Sequence, residues 1–109
     1  MSKVLFVVGN LSAAENASAI NQMRDITKLN IVEIKERIMD KFPVGEYVLF
    51  DDHYKDTIKK IKQWIVLADK VKLKIYEINE EDDFASMNDL ASYEIDSQTL
   101  LVAISEYDN

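Results

Sequence analysis

The chain has a single histidine, His53, and it stands among Asp51, Asp52 and Asp56. An imidazole beside carboxylates is a combination used for general acid-base work, because the negative charge raises the basicity of the ring. The same spacing also describes the first turn of a helix, where aspartates meet the positive end of the backbone dipole and the histidine faces solvent. Hard cations need more converging oxygens than these. No nucleophile is evident beside the ring, so neither a catalytic set nor a metal site is expected at His53.

A second group of polar residues follows apolar runs that read as strands. Gly9, Asn10 and Ser12 come after Val4 to Val8, Asp51, Asp52 and His53 after Tyr47 to Phe50, and Ser105 and Glu106 after Thr99 to Ile104. In an open parallel sheet, ligands settle beyond the carboxyl ends of the strands. These eight residues therefore outline the pocket of a small nucleotide- or sugar-phosphate-binding enzyme. The chemistry behind that reading is incomplete. The only glycines are Gly9 and Gly45, so neither a GxGxxG turn nor a GxxxxGK[ST] loop exists to bring backbone amides against a phosphate. Helix capping and turn formation account for the same polar residues, and no cofactor is expected.

Charge is unevenly spread. Residues 1 to 54 carry 6 basic and 8 acidic side chains, residues 55 to 74 carry 7 and 2, and residues 75 to 109 carry 0 and 10. The lysines between Lys55 and Lys74, with Tyr54 and Tyr76 near them, are the best case for a nucleic-acid surface. A net charge of −7 and the lack of arginine in that stretch argue against it. The acidic third contains the run Glu80-Glu81-Asp82-Asp83, which suits contact with a basic protein surface by electrostatic complementarity. The leading expectation is a small acidic accessory or inhibitory binding protein that acts through these four residues. The same run also suits the start of a following helix.

These residues need elements to position them. Val4 to Val8 is apolar without alternation and rich in β-branched residues, the pattern of a strand covered on both faces. Ile20, Met23, Ile26, Ile31, Ile34, Ile38 and Phe42 follow at helical spacing, either as one helix or as two broken near Asn30, which has Glu33 three positions on. Pro43 and Gly45 close that region, and Tyr47 to Phe50 supplies a second strand. Ile58, Ile61, Trp64, Ile65, Ala68 and Val71 form the apolar side of a long helix capped by Asp51 or Asp52, with Trp64 in the core. Lys72 to Ile78 alternates as an edge strand does, Phe84 to Ile95 suggests a short helix, and Thr99 to Ile104 reads as a second fully buried strand.

Strands and helices thus alternate, which predicts a small three-layer αβα domain with a mainly parallel four-stranded sheet in the order 3-2-1-4. This is Rossmann-like topology without the dinucleotide fingerprint. Only the short helix from Phe84 would cover one face, so an apolar patch and with it a homodimer or a hetero-complex are anticipated. At 109 residues and 48% hydrophobic side chains, a single domain is expected. The absence of cysteine removes disulfides and thiolate sites and points to the cytoplasm. The apolar runs are five residues at most among those just named, far short of a membrane span.

Overall fold

A computed structural model of the protein describes residues 2–9, 16–50 and 52–106. Strand β1 (Ser2–Val8) is followed by helices α1 (Asn16–Thr27) and α2 (Ile31–Asp40), strand β2 (Gly45–Val48), helix α3 (Tyr54–Leu67) and strand β3 (Leu73–Asn79). Two single 3-10 turns, Phe84–Ser86 and Leu90–Tyr93, lead to the two-residue strand β4 (Glu94–Ile95) and to helix α4 (Ser97–Ser105). The sheet has the order β2-β1-β3-β4, and every neighbouring pair is antiparallel.

The mainly parallel, Rossmann-like 3-2-1-4 sheet is therefore wrong, and the reasons are local. The first lies at Asn30. Its side-chain oxygen accepts the Glu33 amide at 2.8 Å and starts α2 as a separate helix. Two successive helices return the chain to the end of the sheet where β1 finished, so β2 must run back alongside β1: Gly45 stands opposite Phe6, and Val48 opposite Lys3. A single helix would have returned it to the other end. That does happen between β2 and β3, which are joined by α3 alone and run the same way, but β1 lies between them. The second reason lies at Asp96, whose carboxylate accepts the Thr99 amide at 2.6 Å. This cap winds residues 97–105 into α4, so the expected strand Thr99 to Ile104 is a helix that sends Leu100 and Ile104 into the core.

The helices occupy one face of the sheet. Val4, Phe6 and Val8 point into that layer with Ile34, Ile61, Trp64 and Leu67. Alternation along β1 sends Leu5 and Val7 to the other face, where they meet Tyr76 and Ile78. Phe84, Met87 and Leu90, from the irregular segment after β3, are packed over them. The expected three layers are thus two layers with a thin irregular cover, and the helix expected from Phe84 to Ile95 is a pair of 3-10 turns and a short strand. The apolar sheet patch anticipated as a dimer contact is closed by this cover.

Candidate functional site

The antiparallel sheet decides what becomes of the eight-residue pocket. Gly9 lies at the carboxyl end of β1, and its amide donates to the Lys72 carbonyl at 2.8 Å. The turn after β2 lies at the opposite end, where the Leu49 amide donates to the Ser2 carbonyl at 2.9 Å. Seven strand residues separate the two ends, roughly 20 Å at the usual rise. Asp52 and His53 are exposed in that far turn. Ser105 and Glu106 end a helix rather than a strand, and the Ser105 hydroxyl donates to the Val102 carbonyl at 2.9 Å. Asn10, Ser12 and Asp51 lie outside the described residues. Gly9, Asp52 and His53 therefore share no pocket, because the strands they follow run in opposite directions.

His53 occupies the N-cap position of α3 and makes no side-chain cap bond there, while its carbonyl accepts the Thr57 amide at 3.1 Å. Asp56 is engaged instead with Lys60, at 3.2 Å one helical turn away. Among the described residues no three His, Cys, Asp or Glu side chains stand close enough to hold a metal ion.

The acidic run lies in the turn after β3. Asp82 accepts the Asn79 amide at 3.2 Å and donates its own amide to the Asn79 carbonyl at 3.0 Å. Asp83 accepts the Ala85 amide at 3.2 Å and the Ser86 hydroxyl at 3.0 Å. These two carboxylates build the turn that brings Phe84 over the sheet, and Glu80 and Glu81 before them are exposed. Phe84 is held by Tyr76 and Phe42, at ring-centroid distances of 5.8 and 6.4 Å. Asp89 and Glu94 lie farther along the same cover and are exposed.

The helical layer mixes both signs, with Asp25, Glu33, Glu36, Asp40 and Asp56 among its bases, whereas the cover is acidic alone. Helices α1, α2 and α3 and the turn to β3 carry Arg24, Lys28, Lys35, Arg37, Lys41, Lys55, Lys59, Lys60, Lys62, Lys70 and Lys72, and the cover from residue 80 to 94 carries no base. Lys3 and Lys74 are the basic residues on the covered face of the sheet, and Lys3 is bound to Glu46 across the strands at 2.8 Å.

Two clefts border this surface. One, of about 310 Å3, is lined by Lys3, Arg37, Phe42, Glu46, Asp83 and Phe84 among others. Its cations are already paired, Lys3 with Glu46, and Arg37 with Glu33 at 2.9 Å and with the Pro43 carbonyl at 3.3 Å. The other, of about 610 Å3, opens beside β3 and β4. It includes Asp69 and Asp96, neither of which stood out in the sequence. The signal for Asp96 was present, since an aspartate followed three residues later by Thr99 is a cap spacing. It was hidden by the β-branched, apolar run that followed. The amide and hydroxyl of Thr99 hold the Asp96 carboxyl below its ordinary pKa.

Compared with protein-family models, with curated proteins and with solved structures, the chain matches none. Among the described residues no helix is long and apolar enough to cross a membrane.

Proposed function

We infer that the chain is a small acidic binding protein, an accessory or inhibitory factor that acts by contact with a basic surface on a protein partner. The observation that carries this reading is a cover that is acidic alone. A cover bearing Glu80, Glu81, Asp82, Asp83, Asp89 and Glu94 with no base among them presents one sign of charge to an approaching molecule. Such a face steers a basic partner and repels nucleic acid. The enzyme reading lacks a comparable observation, because among its described residues Gly9 lies at the opposite end of the sheet from Asp52 and His53. The lack of cysteine suits a reducing compartment, the cytoplasm.

Capture with the full chain as bait tests the reading, run beside a Glu80→Lys/Glu81→Lys variant. Asp82 and Asp83 are left in place because they build the turn. A partner held by the wild type, released by salt and lost with the double variant, is the expected result. Equal capture by both proteins at low and high salt overturns it. The mass of the assembly in the same preparation reports whether a second copy is bound as well, for which Val32 and Met39 on α2, 65% and 80% exposed, offer apolar surface.

A further inference from the structure

The cleft of about 610 Å3 is built from parts that differ in character. Leu73 and Ile75 of β3 and Ile95 of β4 give it apolar lining, all three on the helix-facing side of the sheet. Asp69, in the turn that ends α3, Glu94 of β4 and Asp96, at the start of α4, supply carboxylates, and no lysine or arginine lines it. The carboxylates are not gathered for one metal ion, as no such group exists among the described residues. The cleft also runs beside backbone that has no partner strand. Strand β3 has seven residues, and β4 pairs only with Ile75 and Tyr76. An occupant must therefore combine a main chain able to lie along a sheet edge, an apolar body and a positive end. Arginine and lysine in an extended segment meet all three conditions, because their methylene stems cover apolar surface while the charged heads stay at the rim.

We propose that this cleft receives an extended basic segment of the partner, its main chain beside the uncovered edge of β3 and β4 and an arginine or lysine side chain laid over the half-buried Leu73 and Ile95 toward Asp69 and Asp96. The proposal rests on the acidic-contact reading above and names the part of the partner that is gripped. A second copy of the chain would present its basic residues mainly on helices, which cannot lie along a sheet edge as an extended segment does. The other cleft offers less to a basic segment, since Lys3 and Arg37 stand in its lining.

The test uses the full chain labelled with 15N, titrated with a short peptide of alternating arginine and valine and with its counterpart carrying glutamate for arginine. The arginine peptide is expected to give saturable amide shifts at Leu73, Ile75, Ile95 and Ser97, and the glutamate peptide none. An Asp69→Asn/Asp96→Asn variant removes two of the three lining charges while asparagine keeps the α4 cap, and it should weaken the arginine peptide about three- to tenfold. An unchanged melting temperature in that variant shows that the loss is not unfolding. Shifts confined to Glu81 and Asp89, or an affinity indifferent to the double variant, overturn the cleft. So does the absence of saturable binding. In each of those cases the Glu80→Lys/Glu81→Lys capture experiment still decides the broader reading by itself. Peptide binding in the cleft combined with capture insensitive to that reversal overturns the broader reading and leaves the cleft.

Discussion

Trp64 is fully buried, and its indole nitrogen donates to the Tyr47 hydroxyl at 2.9 Å. Its ring stacks on Phe6 with centroids 5.2 Å apart and planes within 8°. Removing the hydroxyl with Tyr47→Phe leaves the indole N–H buried without an acceptor, so chemical denaturation should show a loss of about 1–3 kcal/mol. Burial also raises the Tyr47 pKa above 10.0, against the lowering effect of the Trp64 bond and with a further rise from the charge of Asp56. The folded state thus favours the neutral phenol, and the stability this gives is present below pH 10 and lost as pH climbs through the raised value. The two glycines make a second residue-scale contrast. A Cβ on Gly45 would stand 2.7 Å from the Trp64 indole nitrogen and 2.8 Å from the neighbouring ring carbon, and the stacked indole has no room to retreat. Gly45→Ala should cost about 1–3 kcal/mol. At Gly9 the nearest atom would be 3.4 Å away. Gly9→Ala should therefore stay within about 0.5 kcal/mol in the same denaturation series.

Among the elements, α4 depends most visibly on one carboxylate. Asp96 accepts the Thr99 amide and its pKa is lowered by that bond, so its stabilising effect is present above the ordinary carboxylate range and lost as pH falls through the lowered value. Backbone amides of residues 97–100 should show that loss in an acid titration followed by NMR. Asp96→Asn should abolish the pH dependence while keeping the helix. Elements were legible where periodicity and caps agreed. Strand β1, the apolar side of α3 with Ile58, Ile61 and Trp64, and strand β3 all lie close to where their patterns put them. Thr99 to Ile104 was misread because a short run of β-branched and apolar residues satisfies a buried strand and a buried helix equally, and only the Asp96 cap separates them. The candidate site was legible as composition, in the acidic run, but not as geometry. Which carboxylates turn the backbone and which remain available depends on contacts such as Asp83 with Ala85 and Ser86.

For the molecule as a whole, the direction of β2 relative to β1 turns on one feature, the break at Asn30. One helix there would have made β1 and β2 parallel and brought Gly9 and His53 to the same end of the sheet. Two helices sent β2 the other way and dispersed the pocket. Burial on both faces of β1 was correctly anticipated, but it does not require a parallel sheet, because an irregular cover seals the second face as well as helices do. That cover should be the less stable half of the molecule. It contributes Phe84, Met87 and Leu90 to a small cluster with Leu5, Val7, Tyr76 and Ile78, whereas the helical layer closes over eighteen buried residues. Amide hydrogen exchange should therefore be slowest in β1 and at Trp64, and fastest at residues 84–93, by several orders of magnitude. Protection of residues 84–93 equal to that of β1 would contradict this division.

The pairing of Ser2 with Asn79 and of Val8 with Leu73 also has a temporal side. On the ribosome, β1 is made long before β3, its most extensive partner. At ~5–20 residues per second the run Val4-Leu5-Phe6-Val7-Val8 waits roughly 4–14 s for that strand to appear. Throughout that interval an apolar, β-prone segment is without the neighbour that will shield it, and the charge on Lys3 works against pairing with another nascent chain. The central strand of the finished sheet is thus the most vulnerable part of the unfinished one.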